Sequence, residues 1–111
     1  MKGITNIDVL KKEIQSNENV WILLYKKGSS QSDCAMLNFE KAGKELNNGL
    51  FCFADVNKVK DIHPEFNISS VPSLLNFEKG KLINVIKGCH KPEQFAAIFE
   101  KSVFVANNIE K

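Results

Sequence analysis

The sequence predicts an α/β domain with a central mixed sheet, built from a βαβ unit and a ββα unit, on three observations. Val20 to Tyr25 (VWILLY) is an uncharged run rich in β-branched and aromatic residues, the pattern of a strand buried on both faces. After a polar loop, Met36, Phe39, Gly43 and Leu46 recur at spacings of three and four and mark the buried face of a helix. A second apolar run, Leu50 to Val56 (LFCFADV), follows the Asn47-Asn48-Gly49 turn. A helix between two such strands implies a parallel pair with a right-handed crossover.

The other elements follow in chain order. Thr5 to Asp8 fits a capping box, and Ile7, Leu10 and Ile14 continue it as an amphipathic first helix. Gly28 to Asp33 has turn composition and ends in side chains able to cap a helix or close a loop. Lys58 to Phe66 reads as a short helix or turn, ended by Asn67 in a left-handed conformation. Val71 to Phe77 and Leu82 to Lys87 flank Glu78-Lys79-Gly80-Lys81, which predicts a β-hairpin with Pro72 at its entrance. Pro92 opens a final helix whose apolar face is Phe95, Ile98, Phe99 and Val103. Residues 1–111 form one domain, long enough to bury a core without metal or disulfide staples.

Composition excludes more than it selects. The net charge is +2, every basic residue is Lys, and no basic run is interleaved with aromatics, which argues against nucleic-acid partners. No segment approaches the ~18 apolar residues of a membrane span, so no membrane association is expected. The first residues lack the pattern of a signal peptide. Three cysteines at unrelated spacings make no disulfide framework, and a reducing, cytoplasmic setting is expected. No cofactor is implied. His63 and His90 lack metal-ligand spacing with the cysteines, and Asp55, Asn57 and Asp61 form no calcium loop, so no metal site is expected.

Two stretches carry a family resemblance. VWILLYKKGSSQSDCAMLNFEKAGKEL resembles the redox segment of thioredoxins and protein disulfide isomerase domains, which runs strand, Trp-Cys-x-x-Cys, helix. SSVPSLLNFEKGKLINVIKG is similar to their Val/Ile-Pro-Thr strand, Lys-Gly turn and closing glycine. The resemblance covers nearly the whole chain and implies the thioredoxin fold, a cis Pro72 beside the functional loop, and a family role in cell redox homeostasis. It also implies a thiol–disulfide oxidoreductase, but the standard cysteines are absent. Aligned without gaps, Ser29-Ser30-Gln31-Ser32 occupies the Cys-x-x-Cys positions, Gly28 replaces the Trp and Leu23 stands where the family often keeps an acid. With one inserted residue, Gln31-Ser32-Asp33-Cys34 becomes the motif and keeps only its second cysteine.

Serine forms no disulfide, so Ser29 and Ser32 cannot run the family reaction. Three readings follow, the third being a structural or regulatory subunit recognised elsewhere on its surface. In the first the chain is a redox-inactive module that binds a protein or extended peptide through Gly28, Ser30, Gln31, Val71, Pro72 and Gly88, the surface the resemblance assigns to clients. In the second it is an atypical thiol–disulfide oxidoreductase using Cys34, with Cys89 or glutathione. On the residues alone Cys34 and Cys89 are expected to be unpaired thiols, a pair between them being conceivable; Asp33 disfavours a thiolate at Cys34. Cys52 and Trp21 are expected in the core.

Overall fold

The computed structural model describes residues 1–44 and 49–109, with side chains described as far as residue 100. Leu46, the Asn47-Asn48 pair and the side chain of Val103, which the sequence reading used, lie outside the described residues. The elements are β1 (Lys2–Gly3), α1 (Ile7–Ser16), β2 (Asn19–Tyr25), α2 (Ser30–Gly43), β3 (Leu50–Asp55), α3 (Ile62–Glu65), β4 (Ser73–Glu78), β5 (Lys81–Lys87) and α4 (Pro92–Ile109).

The five strands form one sheet in the order β1-β3-β2-β4-β5. β1 and β2 both run parallel to β3, while β4 is antiparallel to β2 and β5 to β4. This is the mixed sheet expected from a βαβ unit joined to a hairpin and a helix. The two-residue alternation of strand side chains divides the core. Val20, Ile22 and Leu24 meet Leu10, Ile14 and Ile62 of α1 and α3 on one side. Trp21 and Leu23 meet Ala35, Phe39, Phe95 and Phe99 of α2 and α4 on the other. All five β2 side chains from Val20 to Leu24 are 0% exposed, as a strand covered on both faces requires. Helix α2 lies close enough to the sheet that a Cβ at Gly43 would stand 3.3 Å from the Phe51 ring, which accounts for glycine on this buried face.

Several details depart from the sequence reading. β1 was not anticipated; two residues carry no periodicity, and the strand exists through its pairing with β3. The cap of α1 is Asn6, whose Oδ1 accepts from Val9 N at 2.9 Å. Ile7 N donates to the Asp61 carboxylate at 3.1 Å, a partner 54 residues away that a local capping box cannot foresee. β4 begins at Ser73, one residue beyond Pro72. The hairpin turn places Lys79 and Gly80 at φ 50° and 84°, matching the right-handed strand twist as type I′ turns do. β5 is an edge strand with little cover: Leu82, Ile83 and Val85 are 36%, 46% and 36% exposed.

Phe39 is the pivot of the α2/α4 side, wholly buried with ring centroids 6.0, 6.2 and 5.8 Å from Phe51, Phe95 and Phe99. Phe39→Ala is expected to lower the unfolding free energy by roughly 3–5 kcal/mol, measured by urea denaturation. A loss under about 1 kcal/mol would remove Phe39 from that role.

Candidate functional site

The C-terminal ends of β2 and β5 and the start of β4 lie at one end of the sheet, since Leu24 pairs with Ser73 and Ser73 with Lys87. The loop leaving β2 is closed by its own polar groups. Ser29 N donates to Lys26 O at 3.1 Å, Lys26 N to Ser32 Oγ at 3.0 Å, and Gly28 N to Asp33 Oδ1 at 3.3 Å. Gly28 takes the left-handed turn at φ 95°, where a side chain would be strained. Ser29 occupies the N-cap position of α2, yet its side chain makes no cap bond; Ser32 and Asp33 close the loop instead. Ser32 is fully buried, whereas Gly28, Ser30 and Gln31 are exposed.

Across from this loop the Val71–Pro72 peptide bond is cis. Pro72 is buried, and its carbonyl accepts from Gly88 N at 2.9 Å, which joins the entrance of β4 to the exit of β5. Gly88 sits at φ 89°, again the left-handed region. Ser73 Oγ donates to Ser70 O at 2.7 Å and holds the approach to the strand. Val71 is half-buried, and its N–H and C=O have no hydrogen bond among the described residues.

The two sides are joined covalently. Cys34 and Cys89 form a disulfide with their Cα atoms 5.9 Å apart, which corrects the expectation of two unpaired thiols. A separation of 55 residues hides the pair in the sequence. It arises because α2 and the start of α4 pack on the same core, with Phe39 and Phe95 in contact. Cys34 is exposed, while Cys89 is half-buried against that core.

Asn38 stands one helical turn beyond Cys34. Its Nδ2 donates to His90 O at 2.9 Å and lies 3.5 Å from Cys89 Sγ and 3.7 Å from Cys34 Sγ. Sequence reasoning missed this residue. Its i+4 spacing from Cys34, which puts both on one helix face, was the available signal. His90 packs its ring 5.4 Å from Phe95 and sets Nε2 3.0 Å from Lys87 O.

Cys52 is the free thiol, buried in the core as expected; burial, with a smaller contribution from Glu13, pushes it up from its ordinary 9.0 to about 12. Trp21 is likewise buried. The Tyr25 hydroxyl is also held above its usual range, first by burial and then by the charges of Asp55 and Asp33. Among the described residues no group of three or more His, Cys, Asp or Glu side chains could hold a metal ion. No described helix is long and apolar enough to cross a membrane.

No protein-family model matches the chain. A curated thioredoxin of Mycoplasmoides gallisepticum is 29% identical over 84 residues, covering 74% of this chain and 82% of its own length. Among solved structures, a Plasmodium falciparum thioredoxin superposes with a TM-score of 0.83 at 20% identity, over 91% of this chain and 98% of its own. Oxidized mitochondrial thioredoxin 3 of Saccharomyces cerevisiae gives 0.78 at 20% identity, over 92% of each chain. The class is therefore that of thioredoxin folds. The chain has the thioredoxin fold and is similar in sequence to a thioredoxin. In this chain Ser29 and Ser32 are separated by the two residues that separate a Cys-x-x-Cys pair, and none of the three cysteines has a partner at that spacing.

Two outcomes follow from the thiols. The bridge closes a loop across 55 residues; its reduction, or Cys89→Ser, is expected to lower stability by about 2–4 kcal/mol in urea unfolding with and without reductant. Equal stability of the two forms would deny the bridge a structural contribution. For Cys52 the folded pKa is raised, so the stability its neutral thiol contributes is complete below pH 9.0 and is lost as pH rises toward about 12. Cys52→Ala is expected to flatten that alkaline decline, and native Cys52 is expected to resist alkylation at about pH 8, where the thiol is protonated.

Proposed function

We propose that the chain is a thioredoxin-like binding module that holds an extended segment of a protein partner along the Val71–Pro72 entrance of β4. The observation that carries this is the unpaired main chain of Val71, one donor and one acceptor with no partner among the described residues. An extended segment can satisfy both groups by strand addition, which needs side-chain pockets for selectivity but no thiol. Exposed Gly28, Ser30 and Gln31 leave β2 at the same end of the sheet, and Gly88 N bonds Pro72 O beside that edge.

The serine loop contributes shape rather than chemistry. Ser32 Oγ is buried and already accepts the Lys26 amide, and neither hydroxyl can carry a disulfide. The likeness to a bacterial thioredoxin favours the family's client surface over an unrelated one. A cytoplasmic setting belongs to this reading, with the Cys34–Cys89 bridge in its reduced form there.

The test uses the ¹⁵N-labelled protein and a library of twelve-residue peptides. Binders are expected to shift the amides of Val71, Gly88, Ser30 and Gln31. N-methylation at alternate peptide positions is expected to weaken them about fivefold for each main-chain bond lost. Absence of any binder, shifts centred on another face, or indifference to N-methylation would overturn the proposal.

A further inference from the structure

The two sulfurs of the Cys34–Cys89 bridge differ in every respect that matters for exchange. Cys34 is exposed on α2 and is the more open of the two residues to an incoming thiolate. Cys89 is half-buried against the aromatic core and offers a poorer line of approach. Asp33 adjoins Cys34 and opposes negative charge there. Asn38 Nδ2 is the nearer to Cys89, 3.5 Å against 3.7 Å, and its other bond to His90 O at 2.9 Å fixes the amide in place.

From this asymmetry we propose that the bridge is a thiol-exchange site displaced from the β2–α2 loop, attacked at Cys34, with Asn38 receiving the charge on Cys89. Its reductant is a low-molecular-weight thiol or a partner dithiol. In the first step the thiolate RS⁻ bonds to Cys34 Sγ, the Cys34–Cys89 bond breaks, and the electron pair leaves on Cys89 Sγ, where an Asn38 N–H donates to it. In the second step another thiolate attacks the sulfur of the RS–Cys34 mixed disulfide that belongs to R. RSSR leaves, and Cys34 and Cys89 each take a proton. The protein gains two electrons and two protons, and two thiols become one disulfide. Run backwards, the same steps pass a disulfide to a client dithiol. None of this uses Ser29 or Ser32, and none requires a peptide docked at Val71.

The test begins with oxidised native protein and glutathione, quenched by alkylation at short times and mapped by mass. The expected early product carries glutathione on Cys34 and an alkyl group on Cys89. Asn38→Ala is expected to slow this step about tenfold, the scale of one hydrogen bond to a charged group. In a Cys34→Ser background, thiolate absorbance at about 240 nm reads the Cys89 titration directly, and Asn38→Ala is expected to raise that midpoint by about one unit. A merely structural Asn38 would leave the midpoint alone. Glutathione found first on Cys89, or a bridge that yields only after denaturant unfolds the chain, overturns the proposal, and both readings use the unmutated protein. An unchanged Cys89 midpoint in the Asn38→Ala variant overturns the part assigned to Asn38.

Discussion

The two-sided burial of β2 is the constraint on which the rest depends. A strand whose side chains from Val20 to Leu24 are wholly excluded from solvent must be covered by helices above and below and paired along both edges. That demand fixes α1 and α3 on one face, α2 and α4 on the other, and β3 and β4 as neighbours. It also fixes the site. The end of β2 launches the loop into α2, and the pairing of Leu24 with Ser73 brings Pro72 to the same end. A one-residue slip would turn Trp21 and Leu23 to the opposite face, so the core holds the site in register.

Loop and bridge occupy the same end of the sheet with different chemistry. The loop keeps the strand-to-helix geometry but fills it with hydroxyls that close hydrogen bonds, Ser32 to Lys26 and Asp33 to Gly28. The sulfur lies on α2 two residues past Ser32 and meets a cysteine at the far end of the hairpin. The Val71–Pro72 segment and the bridge are neighbours through Gly88, which bonds Pro72 on one side and precedes Cys89 on the other.

What the sequence made legible followed from strong local patterns. The apolar run of β2, the helical spacing of Met36 and Phe39 and the Lys79-Gly80 turn each carry their own signal, and the architecture follows from their order. The misses share one cause: each depends on residues distant in the chain. Two-residue β1 exists only against β3, the α1 amide finds Asp61 across 54 positions, and Cys34 finds Cys89 across 55. Asn38 gave no signal by itself because an exposed-face Asn acquires meaning only when another element arrives beside it. The Val71–Pro72 edge was readable through family resemblance, since an unpaired backbone leaves no mark in side-chain pattern.

The uncovered outer strand has a consequence of its own. β5 shows solvent an open row of main-chain groups and three apolar side chains, the conditions under which sheets of separate molecules fuse edge to edge. In an antiparallel self-pairing centred on Asn84, Lys81 of one molecule would face Lys87 of the other at both ends. Four ammonium groups would be set in like-charged pairs across a short ribbon. The lysines that bracket this strand would oppose such self-association.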